Sequence, residues 1–127
     1  INRFLDLIKS ETKSNNDKIK PFTQEFARYL EILKNFSDWA VDKTSNNKDD
    51  ASAGANDYLK TLGYISIAYA WIKVLEVSFS DYENNKIFYE DKIQTANFFF
   101  QRVLPRIDSH HNSAITGSKY IMDYKFG

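Results

Sequence analysis

Between Phe22 and Ala40 the chain places an apolar residue at every third or fourth position: Phe22, Phe26, Tyr29, Leu33, Phe36 and Ala40. That spacing predicts a helix with one buried stripe, and Glu25, Arg28, Glu31 and Lys34 fall mostly on its other side. Pro21 suits the first turn, where a missing N–H costs nothing. Upstream, Ile1, Phe4, Leu5 and Ile8 predict a short amphipathic N-terminal helix, and the polar run 10–18 (SETKSNNDK) a loop. A second polar run, 42–50 (DKTSNNKDD), predicts a solvated loop; Asp49, Asp50 or Ser52 would cap the helix after it.

The next segment, about 51–79, reads as helix but has no single wet face. One seam is Tyr58, Leu62, Ile65, Tyr69, Ile72 and Phe79, and another Tyr64, Ala68, Trp71 and Leu75. A third, Ala55, Leu59, Gly63, Ser66 and Ala70, carries small side chains that would admit a neighbouring helix. A helix with three apolar seams is expected at the centre of a bundle. Gly63 is expected at a close helix–helix contact, because mid-helix Gly costs about 0.5–1 kcal/mol relative to Ala and needs a compensating role. Tyr58, Tyr64 and Trp71 are the matching packing residues.

After a turn at 80–86 (SDYENNK), a further helix presents Tyr89, Ile93, Ala96, Phe100, Val103 and Ile107 on one stripe. Pro105 lies inside it; it removes one backbone hydrogen bond and crowds the carbonyl of Gln101, so a kink is expected. The run 108–113 (DSHHNS) breaks the pattern, and a last helix from Ser113 presents Ile115, Ile121, Met122 and Phe126. No strand-like alternation of any length and no internal repeat appear. The prediction is one all-α domain over 1–127, an up-and-down bundle of about four long helices plus a short N-terminal one.

Phe98 and Phe99 do not fit this stripe. Three consecutive residues sweep about 200° of a helix, so Phe98, Phe99 and Phe100 cannot share one face. Either that helix is also central or Phe98 and Phe99 meet something outside the chain. Both are therefore interface candidates. Aromatic content supports the second idea: 10 Phe, 8 Tyr and 2 Trp make up 16% of the 127 residues.

Charge narrows the function classes. Lys and Arg number 17 and Asp and Glu 17, so no basic bias points to nucleic acid. Cys is absent, which excludes disulfides, thiolate metal sites and thiol catalysis, and suits a cytoplasmic location. The longest uncharged run, 61–72, falls short of the roughly 20 apolar residues of a spanning helix, so no membrane span is expected. The chain begins at Ile rather than Met, which is expected of the C-terminal part of a longer protein.

Catalytic chemistry has little to stand on. His110 and His111 are the only histidines, and neighbours on a helix point about 100° apart, which does not suit chelation of one ion. No Glu has a His three residues later, as a carboxylate-bridged metal bundle requires. Gly54 and Gly63 lack the spacing of a phosphate loop. Asp49 and Asp50 read as solvated caps. One anion-contact candidate remains: Arg102, Arg106 and His110 stand four apart, weighed against a solvated basic face.

The segment "ASAGANDYLKTLGYISIAYAW" resembles the C-terminal helical domain of certain flavin-dependent acyl-CoA dehydrogenases, the group similar to 3-methylmercaptopropionyl-CoA dehydrogenase. Asp57-Tyr58-Leu59, Gly63-Tyr64 and Trp71 carry the likeness, with "FYEDKIQTANFFFQRVLPR" and "ITGSKYIM" resembling the later helices. These are packing residues, not catalytic ones. The resemblance implies a parent enzyme that binds FAD and removes two hydrogens from an acyl-CoA thioester in fatty acid metabolism. Its flavin site and catalytic carboxylate would lie in other domains, so this domain is expected to bind no cofactor. Its expected partners are the catalytic domains of the same chain and a second subunit. A free-standing helical interaction module is the alternative, and a ligand-binding bundle a third class, disfavoured because bulky seams close-pack.

Overall fold

The computed structural model describes residue 6 and residues 17–46 and 48–115 of the chain. The expected N-terminal helix and most of the expected last helix lie outside the described residues. Helix α1 runs Lys20–Asn46 and α2 runs Lys48–Ser80. A short 3₁₀ turn, Tyr82–Asn84, leads to α3, Lys86–Phe98. A π-turn, Phe99–Val103, joins α3 to a helical stretch over 106–115, here α4. No strand occurs among the described residues, so the fold is all-α.

The architecture is up, down and up again. Trp39 meets Gly54 and Ser37 meets Tyr58, so α1 and α2 run antiparallel. His110 returns to Asp57, which turns the third arm, α3 through α4, back along α2. Phe22 against Phe100 and Phe36 against His111 close the third side of the bundle. Inside lie Phe26, Tyr29, Leu33, Ile65, Ile72 and Leu104, each at most 1% exposed.

Three of the expected boundaries differ. The polar run 42–50 is not a loop: α1 continues to Asn46 and α2 begins at Lys48. That run holds neither Gly nor Pro to stop a helix, and the Thr44 hydroxyl donates back to the Ala40 carbonyl at 2.7 Å. Asp49 and Asp50 therefore fall inside the first turn of α2 rather than before it. The run 108–113 is likewise helical, within α4. Among the described residues the long helices thus number three, with α4 continuing the third through the π-turn.

The turn at 80–86 forms where the polar run places it. The Asn85 side chain accepts from the Phe88 N–H at 3.2 Å and caps α3. Tyr89 donates to Asp81 at 2.5 Å and Tyr82 to Glu90 at 3.0 Å, fixing the angle between α2 and α3. The bonds from Tyr89 and Asn84 hold the Asp81 carboxyl below its usual range, and the carboxylate raises Tyr89 in turn.

Around Pro105 regular winding gives way, and it does so one turn earlier as well. The Leu104 N–H reaches the Phe99 carbonyl at 2.9 Å, a five-residue span. Ile107 and Asp108 then bond three residues back, to Leu104 and Pro105. The wide turn and the tight one bracket the proline, whose ring would otherwise press on the carbonyl of Gln101. The wide turn also shifts the phase of the buried stripe. Leu104 is fully buried, while Val103, expected on the stripe, is only half-buried.

Candidate functional site

Where α1, α2 and α4 meet, polar and aromatic side chains form a clasp. The Asp57 carboxylate lies 2.7 Å from His110 Nδ1, and since the carboxylate can only accept, that nitrogen carries the proton. The imidazole stacks on Tyr64, with ring centres 5.8 Å apart and planes 28° from parallel. Tyr58 shares a 2.8 Å hydrogen bond with the buried Ser37 and meets Phe36 edge-on. Phe36 also touches Trp39 and His111. Burial pushes the His111 pKa below its ordinary value, which Asp108 offsets in part. The local sequence explains the assembly: Asp57, Tyr58, Thr61 and Tyr64 recur at helical spacing and project toward two neighbouring helices at once.

The clasp holds a His–carboxylate pair but no nucleophile. No serine or threonine hydroxyl is bonded to the His110 ring among the described residues, and its face is taken up by Tyr64. Nor do the described residues hold a group of three or more His, Asp or Glu placed for a metal ion. This arrangement links α2 to α1 and α4.

The three anion-contact candidates have different surroundings. His110 Nδ1 is held by Asp57 at 2.7 Å. Arg102 lies within the π-turn and Arg106 beyond Pro105, both exposed.

The phenylalanine triplet divides. Phe98 is 61% exposed and remains an interface candidate. Phe99 is not one: it is 7% exposed and packs edge-on against Phe100 inside this chain's own core. A π-turn advances roughly 80° per residue rather than 100°, which draws two consecutive side chains toward one side. Period-3.6 counting could not anticipate it.

The glycines exchange roles. A Cβ at Gly63 would meet nothing within 4 Å, so it marks no close contact within the described bundle. The close approach is at Gly54, where a Cβ would stand 2.6 Å and 2.7 Å from the Trp39 ring and 3.2 Å from the Ala114 methyl. The signal is present in the spacing. Gly54 lies 11 and 18 residues before the buried Ile65 and Ile72, near-integral numbers of turns, whereas Gly63 sits half a turn out of phase. Tyr58, Tyr64 and Trp71 are half-buried against the core.

The third seam of α2 is open. Gly63, Ser66 and Ala70 are exposed, with Leu59 64%, Ile67 47% and Val77 54% accessible beside them. Among the described residues α2 is thus not enclosed on all sides: its core stripe faces α1 and α3, and its opposite face is apolar and exposed. That double-sided apolar character makes Gly54–Ser80 long and apolar enough to cross a membrane by length and composition, even though it is the central strut of a packed bundle. An apolar groove of about 470 Å³ adjoins this face, lined by Trp71, Val74, Val77 and Phe88 with Lys73 and Lys92.

The described residues thus form an all-α bundle with an exposed apolar face on α2. The chain matches the family described as acetyl-CoA dehydrogenase C-terminal like over residues 3–125, and it belongs to that family. No curated protein and no solved structure gives a significant match.

Proposed function

We propose that this domain is the non-catalytic C-terminal accessory domain of an FAD-dependent acyl-CoA dehydrogenase, and that it packs against the catalytic body or a neighbouring subunit. The observation that carries the reading is the uncovered face of α2 in a chain whose family match spans residues 3–125. Burying apolar side chains is worth roughly 25 cal/mol per Å², so Leu59, Ile67, Val74 and Val77 gain by meeting a partner. The parent's FAD and its catalytic base belong, in this reading, to the other domains. The placement among enzymes similar to 3-methylmercaptopropionyl-CoA dehydrogenase, and in the cytoplasm, rests on the Asp57-Tyr58-Leu59, Gly63-Tyr64 and Trp71 segment and on the Cys-free composition.

The test compares the full-length enzyme with a version truncated before this domain. The truncated enzyme is expected to keep its flavin absorbance and lose thermal stability or subunit assembly. The separate 127-residue chain is expected to be colourless. Unchanged melting and assembly after truncation would refute the accessory role and favour a free-standing interaction module. Flavin bound by the separate chain would refute the assignment of FAD to the parent's other domains.

A further inference from the structure

We infer that α4 is a hinged arm, a lid closed over Phe36 and Tyr58, which swings about Leu104 and Pro105 as one unit while α1, α2 and α3 stay folded. The hinge is a break in the backbone ladder. The Leu104 N–H bonds five residues back to Phe99, whereas Ile107 and Asp108 bond three residues back. Pro105 stands between them with no N–H to give, so one rung is missing as well. Regular four-residue bonding thus gives way on both sides of one position, and bending there breaks fewer bonds than bending inside α1 or α2.

Beyond the hinge the arm is held differently from the rest of the bundle. Leu104 and Ile107 belong to the main buried cluster, with Leu33, Ile65 and Ile72, and act as the pivot. From 108 to 115 the buried apolar residue is Ala114, while Ile115 is 43% exposed. Ala114 and the buried Phe36 lie outside the main cluster. The arm is fixed largely by polar and ring contacts. Asp108 lies 3.7 Å from Arg28 on α1, His110 Nδ1 lies 2.7 Å from Asp57 on α2, and the His111 ring tilts against Phe36 with centres 5.2 Å apart. Water reaches both side chains of the Arg28–Asp108 pair, 50% and 47% exposed, so that pair contributes little. His110 and Asp57, 21% and 19% exposed, are better shielded, which makes their bond the latch. One alanine methyl hides far less apolar surface than the Phe, Tyr and Leu side chains of the core, so releasing the arm costs much less than unfolding the bundle. Release uncovers Phe36, now 0% exposed, and the Tyr58 ring beside it.

Hydrogen–deuterium exchange of the full-length protein, read by mass spectrometry with residue-level fragmentation, tests the hinge. Residues 108–115 are expected to exchange together, about tenfold or more faster than 26–36 and 62–75. Asp57→Ala removes the latch and should speed 108–115 by roughly a further tenfold, the scale of a lost hydrogen bond to a charged group, with 26–36 and 62–75 unchanged. Asp57→Asn keeps an acceptor for His110 Nδ1 and should restore most of the protection. Pro105→Ala leaves the clasp intact and supplies the missing rung, so it should slow 108–115 toward the rate of 26–36. Exchange of 108–115 at the core's own rate in the unsubstituted protein would overturn the inference. So would a gradient from slow at 108 to fast at 115, which marks fraying from the end rather than a swing. Equal acceleration of all three segments in Asp57→Ala would make the clasp part of the global fold and remove the latch. Unchanged exchange in Pro105→Ala would remove the hinge.

Discussion

Gly54 and Gly63 lie on one helix, nine residues apart, yet the structure gives substitutions there opposite signs. Replacing Gly63 by Ala adds a methyl that meets nothing within 4 Å, so only backbone entropy changes. The variant should be more stable by about 0.5–1 kcal/mol. For a chain of this size that corresponds to a rise in melting temperature of roughly 2–4 °C. Replacing Gly54 by Leu gains the same entropic term, but its Cβ falls 2.6 Å from the Trp39 ring and 3.2 Å from Ala114. Trp39 cannot swing aside freely, because its ring packs edge-on against Phe36 at 5.7 Å. Overpacking of this kind costs about 1–3 kcal/mol, and more where backbone must move, so a net loss of about 1–2 kcal/mol is expected. Urea unfolding followed by far-ultraviolet circular dichroism measures both, at constant m-value. Gly54→Leu combined with Trp39→Ala should then cost less than the sum of the two single changes, since the added side chain fills the space the indole leaves. If Gly54→Leu were neutral, or if Gly63→Ala were destabilising in the separate domain, the placement of α2 against α1 and α4 would be wrong.

The triplet gives a second contrast: Phe99→Ala should cost about 3–5 kcal/mol and Phe98→Ala less than about 0.5 kcal/mol, read from chemical denaturation of each. Ser37→Ala and Tyr58→Phe break one shared hydrogen bond of 2.8 Å, and a double-mutant cycle should return a coupling of about 0.5–1.5 kcal/mol; additive losses would show that the bond contributes nothing. The lowered pKa of His111 means that the unfolded chain takes up a proton there before the folded one does. Its contribution to stability is thus unchanged above about pH 6.5 and becomes unfavourable as pH falls below that value, so His111→Phe should flatten the loss of melting temperature between pH 7 and 5. An identical pH slope in wild type and variant would remove His111 from the account.

Much of α1 is written in its periodicity: Phe26, Tyr29, Leu33 and Phe36, placed on one stripe by spacing alone, are all buried. The core half of α2 is equally legible through Ile65, Ala68, Ile72 and Leu75. Three features resist, each for a physical reason. Residues 42–50 look like a loop when polarity is equated with irregularity, yet polar residues without Gly or Pro sit well on exposed helix. Phe99 looks surface-exposed when a fixed 100° step is carried through a turn that is wider. The open seam of α2 looks like core because hydropathy records what a face prefers, not which of the described helices is placed to meet it. The clasp is only partly foreseeable. Tyr58 and Tyr64 declare themselves as packing residues, but the Asp57–His110 contact spans 53 positions and leaves no local trace.

The π-turn at Phe99–Val103 also carries a consequence for how the chain length varies. A regular helix does not tolerate an added residue, since every side chain beyond it would rotate by about 100°. Here the five-residue span from Phe99 to Leu104 takes up the surplus within one turn, and Pro105 marks where regular winding resumes. Both Ala96 before it and Ile107 after it therefore point into the same core. Deleting one residue between Phe99 and Val103 should turn the wide turn into an ordinary one and leave both ends in register, whereas the same deletion between Lys86 and Ala96 should unfold the arm. Relatives that wind regularly here are expected to be one residue shorter, which makes this helix interior a natural place for a single-residue gap when members of the family are aligned.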